Sequence, residues 1–157
     1  MRRLSKCLGL TVFVTSFFLC AVPVGMAADF SQAKVLSLEG EAKFLKAGAG
    51  DWKALEPGMV FSEGDSVKTS ENSQARLELS GNAKTAEVLV RPNSEFSFKS
   101  FRHDIGTKVE NTLLDVTVGG VLIKAEKLVG DSKFEVKTPT SIVGIRGTIF
   151  EVNVSKS

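Results

Sequence analysis

Residues that perform most enzyme chemistry are scarce in this chain. Of its 157 residues two are cysteine, Cys7 and Cys20, one is histidine, one is tryptophan and none is tyrosine. A zinc site needs three or four nitrogen or sulfur ligands, and a lone His103 with no cysteine beyond residue 20 cannot supply them. His103 sits between Arg102 and Asp104 in a polar turn. No Gly-x-Ser-x-Gly elbow is present to pair it with a nucleophile. Walker-type phosphate loops and dinucleotide fingerprints are also missing. The lack of tyrosine weakens a lectin reading, because sugar faces are gripped by Trp and Tyr, and Trp52 reads as an aromatic over the first hairpin. Helical periodicity is missing as well: no window of eleven residues repeats apolar side chains at i, i+3 and i+4.

Charge of one sign is missing once the first 27 residues are set aside. They hold Arg2, Arg3 and Lys6 and no acid, which leaves 17 basic and 18 acidic residues on 28–157. That balance excludes the clustered basic face that phosphate neutralisation requires, so no nucleic-acid partner is expected. Residues 1–27 read as a secretory signal peptide: a basic start, an apolar run from Leu8 to Ala21, Pro23, then small Gly25 and Ala27 before the cleavage point. An uncleaved anchor and a lipid at Cys20 are the alternatives. Pro23 and the small residues favour cleavage, and bulky Phe17, Phe18 and Leu19 disfavour the lipid. Cleavage would leave a periplasmic or secreted domain over 28–157 with no cysteine and no membrane span. Such a domain is stabilised by apolar burial and backbone pairing instead of disulfides.

The mature segment has short runs of period-two alternation broken by Gly, Asn, Asp and Pro. Leu36, Leu38, Gly40, Ala42 and Phe44 share one face of the run from Val35 to Lys46, with Ser37, Glu39, Glu41 and Lys43 on the other. Further runs follow at Asp51–Leu55, Met59–Phe61, Ser66–Thr69, Gln74–Leu79, Ala86–Arg91, Glu95–Phe101, Thr112–Val118, Val121–Glu126, Lys133–Lys137 and Ile142–Val154. Turn chemistry separates most of them. The expectation is one all-β domain of many short strands, β-solenoid-like or a β-sandwich. Apolar parity switches from even to odd between Leu114-Val116-Val118 and Val121-Ile123-Ala125, which puts a bend or bulge at Gly119-Gly120. A second switch, from Val143-Ile145 to Phe150-Val152-Val154, puts another at Gly147. Gly64-Asp65-Ser66 and Gly130-Asp131-Ser132 form a faint echo with unequal spacing.

Trp52, Leu55, Gly58, Gly64-Asp65, Val67, Thr69, Ala75, Leu77, Leu79, Pro92, Ser94, Phe96 and the glycines at 119 and 120 lead into a distinctive close. That close is Phe134-Glu135-Val136-Lys137-Thr138-Pro139 followed by Gly144-Ile145-Arg146-Gly147-Thr148-Ile149-Phe150-Glu151-Val152. Over about residues 34–154 this pattern resembles the FecR domain family. The family's name-giving regulator holds a sigma factor with a cytoplasmic segment, crosses the membrane once and senses an outer-membrane iron-siderophore transporter from the periplasm. With only seven residues ahead of the apolar run, direct sigma-factor contact is not expected here. The resemblance implies an exported module that binds a protein or an envelope component, in signalling or sensing. A structural or adhesive protein that self-associates or binds polysaccharide is the alternative.

No enzyme activity, cofactor or metal is expected. Glu39, Glu41, Asp65, Asp115, Glu135 and Glu151 could supply the two carboxylates of glycoside hydrolysis, but most occupy polar strand faces. The Gly-Asp turns lack the dense repeat that gives calcium several oxygens, and Asp65 reads as an acceptor for backbone N–H groups. Gly64, Asp65, Thr69, Thr138, Pro139, Gly144, Arg146, Gly147 and Thr148 form the family motif, structural or partner-docking. For Arg146 the apolar neighbours Ile142, Val143, Ile145, Ile149 and Phe150 predict a packed stem with the guanidinium on backbone carbonyls or a carboxylate. Docking beside an exposed edge is the other reading.

Overall fold

Alternating apolar side chains need a partner surface, and the chain provides it by bending its strands back over one another. The computed structural model describes residues 32–80, 84–104, 109–128, 130–147 and 149–155. Twelve strands run through them: β1 Gln32–Glu39, β2 Ala42–Leu45, β3 Lys53–Ala54, β4 Val60–Phe61, β5 Ser66–Thr69, β6 Gln74–Ser80, β7 Lys84–Val90, β8 Glu95–His103, β9 Glu110–Ala125, β10 Lys133–Lys137, β11 Ile142–Ile145 and β12 Ile149–Val154. All belong to one curled sheet. One layer follows the order β4-β1-β6-β7-β9-β12 and the other β3-β2-β5-β8-β9-β10-β11, with β9 shared. Every pair is antiparallel except β9 with β10. The all-β expectation holds, in its sandwich form. A solenoid would stack its coils through parallel pairs.

The two layers meet through phenylalanine. Phe61 of the first layer lies 5.9 Å from Phe98 and 5.8 Å from Phe44 of the second. Phe96 and Phe101 approach Phe98 edge-on at 5.2 and 5.7 Å. Burying each such ring contributes about 1.5–3 kcal/mol. Ala33, Val35, Leu77, Leu79, Val88, Leu114, Val121 and Ile123 fill the space around them.

Four segments cross from one layer to the other along a single row of corners. β1 bends into β2 at Gly40, β5 into β6 at Asn72-Ser73, β7 into β8 at Asn93-Ser94, and β9 bends at Gly119 without breaking. Ser73 Oγ accepts the Glu41 N–H at 2.8 Å, and Ser94 Oγ accepts the Gly120 N–H at 2.9 Å. Asn72 and Asn93 share positive φ of 54° and 53°. Exchanging β1 with the first half of β9, β6 with β8, β7 with β5 and the second half of β9 with β2 maps one layer's order onto the other. The corner row is therefore a pseudo-twofold repeat. Its sequence trace, Asn-Ser before Gln74 and Asn-Ser before Glu95, differs from the Gly-Asp echo.

The parity switches are confirmed. Leu114 and Val116 point inward before Gly119, and Val121, Ile123 and Ala125 do so after it. Gly119 has φ +85°, and a side chain there would collide with Ser94 and its backbone. The runs at 112–118 and 121–126 are one strand, because a glycine corner reverses parity without ending the ladder. Gly147 has φ +62° and separates inward Ile145 from inward Val152. The inward face expected for β1 needs correction. A bulge between Val35 and Ser37 makes Leu36 the extra residue and leaves it 42% exposed, so Ala33 and Val35 are the buried pair.

Candidate functional site

The family motif separates into two groups. Gly64, Asp65 and Thr69 flank β5, whereas Thr138, Pro139, Gly144, Arg146 and Gly147 surround β11. Between β5 and β11 lie β8, β9 and β10, so the groups are about 19 Å apart at the spacing of neighbouring strands. Thr148 lies outside the described residues.

The first group is committed to holding the fold. Asp65 is 2% exposed. Its carboxylate accepts the Ala47 and Ser62 N–H groups at 2.9 Å each and the Lys46 ammonium at 2.6 Å. Lys46 also donates to the Val60 carbonyl at 3.0 Å. Asp65 is thus the turn acceptor expected of it, whereas Asp131 of the echo is exposed, and there Ser132 Oγ accepts the Glu110 N–H at 3.0 Å. Thr69 Oγ1 donates to the Arg91 carbonyl at 2.6 Å and accepts the Ser94 N–H at 3.1 Å, joining two corners. A depression of about 460 Å³ lies over this corner, lined in part by Lys68, Asn93 and Glu95. The Lys68 ammonium sits 3.9 Å from the Trp52 ring centroid, which occupies one face of the ring that a sugar would stack on.

The second group forms an open edge. Pro139 and Thr140 make the turn from β10 to β11. The Thr138 N–H donates to the Ser141 carbonyl at 2.8 Å, and Thr138 Oγ1 accepts the Ser141 N–H at 3.0 Å. Counting along the register from that pair, Val136–Val143 and Phe134–Ile145 are the hydrogen-bonded pairs. The N–H and C=O groups of Ile142 and Gly144 therefore point away from β10. Among the described residues no strand pairs with that side of β11. Ile142 is 65% exposed. Around Gly144 a depression of about 260 Å³ is lined by Lys133, Glu135 and Arg146 together with the chain from Ser132 to Phe134 and Ile145. A Cβ on Gly144 would meet nothing within 4 Å.

Arg146 departs from the packed role predicted for it. Its side chain is exposed and makes no hydrogen bond or ion pair among the described residues. Its apolar neighbours divide between the core and the two outer faces, so they build no pocket for its stem: Ile145 points in, Ile142 and Ile149 point out. The closing constraint lies one residue on, where a Cβ on Gly147 would stand 3.0 Å from Lys127 Cα. Sequence reasoning missed Ile142 and Ile149 as surface residues. The signal was available in their parity, opposite to that of the inward residues of β11 and β12.

Apart from buried Asp65, the candidate carboxylates lie at or near the surface, with Glu41 exposed and Glu135 half-buried. Glu39 accepts from Gln74 at 2.6 Å, and Asp115 lies 3.6 Å from Lys137. Glu151 Oε1 is 2.9 Å from Arg91 Nε, at an angle that is not a hydrogen bond's, and accepts from Asn153 at 3.3 Å. Among the described residues no three His, Cys, Asp or Glu converge on a metal site. No described helix is long and apolar enough to cross a membrane. The His103 side chain lies outside what is described.

Comparison with known proteins points to one family. A family model described as FecR protein matches residues 65–157, more than half of the chain and all of the open edge. No curated protein and no solved structure matches.

Proposed function

The chain belongs to the FecR family, and from that premise we propose that it is an exported, non-enzymatic binding module of the bacterial envelope. In this reading it works in the periplasm, in signalling or sensing, and engages a protein partner through the open edge at β11. The carrying observation is the unpaired ladder side of β11, where free backbone groups of Ile142 and Gly144 coincide with the most specific part of the family motif. A sheet edge of this kind recruits a strand from a partner, with backbone bonds supplying affinity and side chains supplying selectivity. The leader's basic start, apolar run and small-residue end support export.

The test places a photo-crosslinking amino acid at Ile142 and, as control, at Lys53 on the far edge, in cells that make the full chain. The expected result is a protein adduct from position 142 and none from 53, in the periplasmic fraction. No adduct from 142, or equal adducts from both, would overturn the reading.

A further inference from the structure

The outer face beside β11 carries charges in a fixed order, and that order specifies a ligand. Side chains of β9, β10 and β11 that share a register position form rows across the sheet. One row contains Asp115, Lys137 and Ile142, and its charges pair with each other. The next contains Leu113, Glu135 and Gly144. The third contains Arg102, Asn111 and Lys133, with Arg146 level with Lys133 where β11 ends. Glu135, Lys133, Arg102 and Arg146 have no ion pair among the described residues. Moving along the open edge, a newcomer thus meets an exposed isoleucine, then a gap over glycine leading to an unpaired carboxylate, then unpaired cations.

Resting on the docking reading above, we infer that the segment captured by β11 is an extended peptide strand. Its outward residues would be apolar beside Ile142, a long Lys or Arg over Gly144 aimed at Glu135, and Asp or Glu beside Arg146 and Lys133. A strand added to β11 would place its side chains about 4.5–5.5 Å from those of β11 on the same face. Its alternate residues would face half-buried Val143 and buried Ile145, which favours apolar side chains there. The absent side chain of Gly144 is what lets a long cation cross β11 toward Glu135. The backbone donors and acceptors of Ile142 and Gly144 distinguish this ligand from a mere polyanion, which needs the cations alone.

The experiment is a nitrogen-15 NMR titration of the purified protein with blocked seven-residue peptides. Two have Thr at both ends, Val at the third and fifth positions, and Val, Lys, Glu at the second, fourth and sixth, in that order and in reverse, to cover both strand directions. Each is compared with the isomer in which Lys and Glu are exchanged, so net charge is constant. One direction should bind, with shifts centred on residues 142–147 and 133–135. Its isomer should bind about fivefold more weakly, the upper range of an exposed ion pair. Arg146→Glu should narrow or reverse that preference. Gly144→Pro removes an N–H that faces outward and sets its ring in the gap over residue 144, so it should keep the fold and weaken binding by at least about fivefold, one hydrogen bond's worth or more. Equal binding of the isomers, no binding to millimolar concentration, or shifts centred on β12 would overturn the inference. So would polygalacturonate binding at the same cations with indifference to Gly144→Pro, the outcome for an acidic glycan site. A crosslink from position 142 with no peptide binding would retire the charge order and leave the docking reading standing.

Discussion

The sheet has two boundaries, and they are built in opposite ways. At one boundary β3 and β4 are two residues long. Lys53 stands exposed there, and the Val60 carbonyl is capped by Lys46, itself held by buried Asp65. At the other, β11 and β12 are four and six residues long and put Ile142 and Ile149 into solvent, 65% and 64% exposed. Short, charged, capped edges are how proteins prevent unwanted strand pairing, so the contrast separates an edge sealed for stability from one left available. The motif follows the same division: Asp65 is used up by its neighbours, whereas Arg146 has no partner among the described residues.

The comparison breaks first if the sealed edge does not depend on Asp65. Asp65→Ala strands two backbone donors and the Lys46 ammonium, and should lower stability by about 2–4 kcal/mol in urea unfolding. Lys46→Ala should cost less, because Lys46 is about half exposed and Asp65 keeps the Ala47 and Ser62 N–H donors. Equal midpoints for Asp65→Ala and the parent protein would show that the clasp stabilises nothing.

Next in size is the bend that links the two open strands. Gly147→Val puts a branched side chain at φ +62° and 3.0 Å from Lys127 Cα, so a loss of about 1–3 kcal/mol is expected, read as a lowered Tm. An unchanged Tm would mean that the edge is not held at Gly147.

A smaller effect separates the edges by association. Ile142→Lys should leave the urea midpoint within about 0.5 kcal/mol and slow aggregation on heating, since a charge on an open edge discourages pairing. Lys53→Ile on the sealed edge should change aggregation little, because a two-residue strand offers few pairing groups. Light scattering during a thermal ramp measures both, and equal responses would erase the distinction.

The smallest effect sharpens the comparison most. Arg146→Ala should move the urea midpoint by no more than about 0.5 kcal/mol, as an exposed and unpaired side chain does. A loss above 1 kcal/mol would return Arg146 to a structural role.

Particular residues show how far the sequence could be read. Inward and outward positions on β6 and β10 followed from alternation, which depends only on the pleat, whereas β8 reverses its parity at a bulge between Phe98 and Ser100 that brings Phe101 inward. Gly119 and Gly147 were located because apolar parity cannot reverse without a residue that relieves it. Leu36 was misplaced because a bulge depends on the partner strand, β6, whose register skips it. Arg146 was misplaced because flanking apolar residues were taken as its surroundings, although neighbours along a strand point to opposite faces. The open edge was illegible for a related reason: whether β11 has a second partner depends on every other strand.

What the sequence determined by itself was local: strand class, the buried face of most strands and the corners where parity turns over. Each is set within a few residues by the period-two pleat and by glycine's access to positive φ. What only the tertiary structure decided was adjacency. It paired β9 with β10 in parallel, set Ser73 against Gly40 and Ser94 against Gly119, sealed β4 with Lys46 and left the outer side of β11 without a partner among the described residues. Those outcomes rest on contacts between residues some 14 to 33 positions apart. They are selected by packing the whole apolar set at once, a condition that no single stretch of the chain contains.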